Sequence, residues 1–180
     1  MTEAIGVPTR ALGLPWTAAR PRVLVVACSD GRLQEATDAF LRDALDVHRY
    51  DRLYVPGGGG ALSAARGEFM RSHEFRRECR FLVDAHLVEH LVLLFHGPAD
   101  DGPSEAVCAD YRRLQNWAPA SQVRVQQAAD VRDLLVRRDE FARSARLSIY
   151  RFEVTARRTL EVVTLHEDPP AANASQPAPR

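Results

Sequence analysis

Two short stretches constrain this chain more than anything else in it. "RVLVVA" (22–27) and "LVLLFH" (91–96) are unbroken apolar runs rich in branched side chains. A strand wetted on one face alternates apolar with polar; an unbroken run suits a strand buried on both faces. Such strands need helices above and below them, and the intervening segments supply the pattern. "LQEATDAFLRDAL" (33–45) spaces Leu33, Ala36, Phe40, Ala44 and Leu45 at helical period. "SHEFRRECRFLVDAHLVEH" (72–90) reads as an amphipathic helix with Ser72 as its N-cap. "DRLYVP" (51–56) reads as another strand, stopped by Pro56 and the glycines at 57–60.

The later part of the chain continues the alternation. Pro103 is placed to open a helix that runs to about Trp117. "QVRVQQA" (122–128) reads as a short strand and "DVRDLLVRRDEFA" (130–142) as a helix. "LSIYRFEVTARRTLEVVTL" (147–165) reads as a hairpin or one long bent strand. The expected fold is therefore α/β, a single domain over 21–166 with a mainly parallel central sheet flanked by helices. Residues 1–20 form an N-terminal arm, and the Pro-, Ala- and Ser-rich segment 167–180 reads as a disordered tail. A length of 180 residues suits one sizeable core.

Composition narrows the function. The 24 acidic residues balance 24 basic ones, so no nucleic acid or anionic membrane is expected as a partner. No apolar run approaches the roughly 20 residues of a membrane span, and no apolar signal-peptide core stands near the start. Three cysteines argue against a disulfide framework and for a reducing, cytoplasmic setting. All 24 basic residues are arginine, which excludes Schiff-base, general-base and P-loop lysine chemistry.

In an open parallel sheet, ligands bind beyond the carboxyl ends of the strands. Three such ends carry reactive or permissive residues here: Cys28-Ser29-Asp30-Gly31-Arg32, the glycine run, and His96. At a strand end beside Asp30 and Arg32, Cys28 reads as a ligand more than as a small buried hydrophobe. Cys79 and Cys108 fall within helical patterns and read as packing residues. Asp30 and Arg32 suit a bidentate pair that orients the carboxylate. Gly57, Gly58 and Gly59 suit either a tight turn or a set of backbone amides around a small anion. His86 and His90 match His-x-x-Glu-His, a zinc-protease pattern, but the chain enters a buried strand at once, and a solvated helix end is the better account.

Cys28-x-Asp30-x-Arg32 after a buried strand, a glycine loop after the next, and His96 after the third make the chain resemble the β-class carbonic anhydrases over residues 22–117. The resemblance implies a zinc enzyme for the reversible hydration of carbon dioxide to bicarbonate. It implies Asp30 and Arg32 in catalysis, Cys28 and His96 on the metal, and a homodimer. The family's second cysteine ligand falls at position 99, where this chain has Ala99. Asp30 itself is one candidate for the third ligand, and Asp100 or Asp101 in the following loop is another. Cys108 ranks below them, because a helix begun near Pro103 carries it more than a turn away, about 5.4 Å of rise. The alternative to an enzyme is a metal-free scaffold of the same fold that binds a small anion.

Overall fold

The structure, a computed structural model, describes residues 12–114 and 118–169. Residues 1–11 of the expected arm, Trp117 at the expected helix end, and 170–180 of the expected tail lie outside the described residues. Five strands form one sheet in the order β2-β1-β3-β4-β5. They are β1 (Val23–Ala27), β2 (Asp51–Tyr54), β3 (His90–Pro98), β4 (Arg146–Val154) and β5 (Leu160–Glu167). The first four run parallel and β5 is antiparallel to β4. The two apolar runs lie side by side, Val25 opposite Val92, with β1 and β3 both interior to the sheet. The closing segment is a hairpin.

The helices cover the sheet unequally. α1 (Gln34–Asp43) packs on one face, where Leu41 joins Val25, Val92, Leu94 and Phe152. Phe40 meets Tyr150 and Phe152 edge to face, with ring centroids 5.0 and 5.5 Å away. α2 (Phe69–His86), α3 (Ala109–Leu114) and α4 (Ala120–Val136) supply Cys79, Tyr111 and Val123 to the core on the other face. Among the described residues no helix is long and apolar enough to cross a membrane.

Three local expectations fail for physical reasons. Ser72 is not a cap: α2 begins at Phe69, and the Ser72 hydroxyl donates to the Phe69 carbonyl inside the first turn. Residues 122–128 are not a strand but the first half of α4. Its buried positions are Val123, Gln127, Asp130, Val131 and Leu134. Two polar residues occupy that helical stripe, so its period is invisible to a hydrophobicity count. His86 to His90 is not a solvated helix end, because His90 is a buried strand residue. Leu87 takes the left-handed conformation that ends α2, and His90 already lies in β3. His86 meets Asp51 at 2.7 Å, while His90 meets Ser148 at 2.9 Å.

The sheet also extends past the expected domain end. Glu167 closes β5, and the Asp168 carboxylate accepts from Arg138 at 2.7 Å and from the Leu147 amide at 2.8 Å. The Arg138 guanidinium holds that carboxyl well below the usual carboxylate range, so its stabilisation is complete above the ordinary pKa and is lost only in strong acid. A chain ending at His166 should therefore be less stable than one ending at Pro169 by about 1–3 kcal/mol in urea denaturation. Equal midpoints would show that Asp168 fastens nothing.

Candidate metal centre

The chain leaves β1 for β2 on one side, then crosses back to β3 on the other. That reversal opens a crevice between the carboxyl ends of β1 and β3, the usual ligand position in such sheets. Cys28 follows β1 directly and His96 lies near the end of β3. The thiol that joins them is Cys108. Ligating atoms of Cys28, His96 and Cys108 all lie within 4.8 Å of one another, and the two sulfurs are 3.9 Å apart.

The position of Cys108 corrects the expectation that it would be carried away. Pro103 opens only a 3-10 turn, Ser104–Ala106, and Val107 returns to an extended ψ of 130°. The helix starts at Ala109, so Cys108 stands just before it rather than inside it. The amides of Asp110 and Tyr111 turn back onto its sulfur. The carboxylates expected in that role lie elsewhere. Asp100 is 95% exposed and pairs with Arg124 at 3.2 Å, and Asp101 is exposed. Asp30 is held by Arg32 through Nε at 2.9 and 3.1 Å and Nη2 at 2.5 Å.

Each group has a defined electrostatic setting. The hydrogen bond from Cys108 lowers the Cys28 thiol pKa, helped by His96 and the Gly57 amide, while the same contact and burial push Cys108 up. Of the two thiols Cys28 is thereby the more acidic. The Arg32 guanidinium pulls the Asp30 carboxyl down to about 2, so it is an acceptor-only anion at neutral pH. Arg32 Nη1 also donates to the Glu105 carbonyl at 3.2 Å, which ties the pair to the turn before Cys108. His96 is 3% exposed, and its Nε2 is buried with no hydrogen-bond partner among the described residues. Buried polar atoms are rarely left so, and a free imidazole nitrogen beside two sulfurs is a ligand set that suits zinc.

Sequence reasoning missed the residues behind this cluster. Gln127 donates to the His96 carbonyl at 3.0 Å and accepts from Arg151 Nε at 2.8 Å, while Arg151 Nη2 donates to the Pro98 carbonyl at 2.9 Å. Both side chains are buried and fix the last turn of β3 from behind. Only their burial identifies them, and burial is not visible in a lone Gln or Arg.

The glycines lie against the cluster as spacers. Gly57, Gly58 and Gly59 are all buried. The Gly57 amide reaches the Cys28 sulfur, and the Gly58 amide donates to the Val55 carbonyl at 3.0 Å. Beside the centre a cleft of about 240 Å³ is bounded by Asp30, Arg32 and His96, with Leu33, Val154 and Leu160 as apolar wall. A larger concavity of about 610 Å³, between 16–21 and 48–52, lies at the amino ends of β1 and β2, away from these residues.

Comparison with known proteins finds no family model that matches the chain and no curated sequence that matches it.

Gly58 gives a direct test of this packing. Its φ is +56°, and an added Cβ would press into the Leu94 carbonyl and lie 2.9 Å from the Cys28 amide. Gly58→Ala should cost at least about 2 kcal/mol in a denaturant titration. Gly31→Ala, where nothing lies within 4 Å, should change stability by less than about 0.5 kcal/mol. Equal effects would remove the close-approach argument.

Proposed function

We propose that this chain is a β-carbonic-anhydrase-like enzyme that holds zinc through Cys28, His96 and Cys108 and interconverts carbon dioxide and bicarbonate. The observation that carries the reading is the cluster itself: two sulfurs and an unpartnered buried imidazole nitrogen within 4.8 Å. Two thiolates and one neutral imidazole would balance the charge of a divalent ion and leave a fourth position, the ligand count of catalytic zinc sites. Bound there, zinc would supply a hydroxide nucleophile near neutral pH and a Lewis acid.

The chain's own residues supply orientation. Asp30 stays ionised, so it can only accept a hydrogen bond, and acceptance from the nucleophile's O–H fixes where the attacking lone pair points. Arg32 keeps Asp30 in that orientation through its paired contacts, and its hold on the Glu105 carbonyl keeps Arg32 from swinging out. The apolar wall of Leu33, Val154 and Leu160 suits a small uncharged substrate, and the cleft volume of about 240 Å³ bounds its size.

Protein purified without chelator should carry about one zinc per chain by elemental analysis. Cys28→Ser and Cys108→Ser should each lose it, because a neutral hydroxyl replaces a thiolate poorly. Asp30→Asn should keep the metal and lower carbon dioxide hydration by about 10²-fold or more in stopped flow. A wild type that takes up no zinc on titration sinks the enzyme reading and leaves the metal-free anion-binding scaffold.

The homodimer is part of the same proposal. β5 is the edge strand among the described residues, and there Leu160, Val162, Val163 and Leu165 are 36–42% exposed. An exposed apolar edge is a template for pairing. Light scattering should give twice the chain mass, and Val163→Lys should reduce it to one chain. A wild type that runs as a strict monomer at micromolar concentration rejects the dimer.

A further inference from the structure

We propose that Cys28 and Cys108 form a peroxide-reactive dithiol, in which a hydroperoxide oxidises Cys28 and Cys108 then closes a reversible disulfide on it. This goes beyond the hydration reading and does not require zinc. The two sulfurs are 3.9 Å apart although their residues are 80 positions apart in sequence. A disulfide needs about 2.05 Å between sulfurs, so the pair must close by less than 2 Å. Rotation of the two cysteine side chains can supply that movement, with Cys108 standing just before its helix rather than within it.

The two thiols differ in access, and that sets their order. Cys28 is partly exposed and lines a cleft of about 170 Å³ with Asp30, Leu33, Gln34, Thr37 and Tyr54, an opening wide enough for a peroxide. Cys108 is 1% exposed and its sulfur lies against that of Cys28. Cys79 is fully buried in α2 and serves as an internal control.

The chemistry balances. The Cys28 sulfur attacks one oxygen of hydrogen peroxide; an S–O bond forms, the O–O bond breaks, and with a proton the second oxygen leaves as water. Cys28 is then a sulfenic acid, oxidised by two electrons, and the peroxide is reduced. The Cys108 sulfur attacks the Cys28 sulfur; the S–S bond forms, the S–O bond breaks, and hydroxide departs as water with the Cys108 proton. Two thiols and one peroxide give one disulfide and two waters.

The test uses the full chain, reduced and freed of metal by a chelator, treated with two equivalents of hydrogen peroxide per chain, then alkylated, and read by thiol titration in denaturant and peptide mass spectrometry. Free thiols should fall from the three of the reduced protein to one, with a Cys28–Cys108 cross-linked peptide, and dithiothreitol should restore all three. Cys79→Ser should fall to no free thiol. Cys108→Ser should instead carry sulfinic acid on Cys28 that dithiothreitol does not reverse. The proposal is overturned if the wild type keeps all its thiols, stops at Cys28 sulfinic acid, or pairs Cys28 only between chains. A second sample preloaded with zinc separates the two readings. Oxidation slowed at least about tenfold by the metal fits both, because a ligated thiolate is a weak nucleophile. Disulfide formation at an unchanged rate leaves the dithiol standing and counts against zinc at these thiols.

Discussion

The pairing of β1 with β3 is the constraint on which the rest of the molecule depends. Both strands are buried on both faces, and neither can leave the middle of the sheet without exposing its apolar run. Their register, from Val23 opposite His90 to Val26 opposite Leu93, brings the ends that carry Cys28 and His96 level. Because β2 lies on the far side of β1, the connections diverge beyond those ends. The crevice that results is a property of strand order, and it would exist whatever residues lined it.

What fills the crevice has to be held by polar groups in a dry interior, and this is costly unless they are paired. Gln127 and Arg151 tie down the carbonyls of His96 and Pro98. On the other side Arg66, with a side chain 3% exposed, pairs with Asp110 at 2.8 Å, stacks on the Tyr111 ring at 4.6 Å, and donates to the Gly60 carbonyl at 2.7 Å. Asp110 also receives Arg71, whose other arm reaches the Pro56 carbonyl at 2.7 Å. Removing one member would leave another buried and unpaired, at about 1–3 kcal/mol. The network therefore contributes position more than net stability.

How much of this was legible follows from which signals each residue emits. The two apolar runs declare buried parallel strands, and Cys28, Asp30, Arg32 and His96 announce themselves as chemistry stranded at strand ends. Cys108 does not. Whether it belongs to the centre turns on the break in helical backbone at Val107, whose ψ is 130°, and a 3-10 turn emits no period to read. α4 misleads for the opposite reason: Gln127 and Asp130 occupy core-facing positions, where Gln127 holds the His96 carbonyl and Asp130 accepts from the Tyr111 hydroxyl, so polar groups interrupt the pattern that would have revealed the helix. Asp168 is missed because a single carboxylate after a strand looks like the start of a tail until Arg138 is seen beside it.

A sulfur at position 108, rather than a ligand at position 99, decides what the cluster is attached to. Ala99 sits in a tight turn, its amide bonded to the Val154 carbonyl at 2.9 Å and its carbonyl to the Gly102 amide at 3.1 Å, so a ligand there would move only with β3 and β4. Cys108 instead precedes the short helix whose Asp110 packs on Gly57 and Arg66. The Cβ that Gly57 lacks would stand 2.5 Å from the Asp110 carboxylate, which leaves no slack between glycine loop and helix. The second sulfur is thus set by the same close packing that sets the end of β1. A side chain added at Gly57 would press on Asp110 and one at Gly60 on Tyr111, both in α3, while one at Gly58 would press on the Cys28 amide, so the packing of the loop and the placement of the two sulfurs are linked.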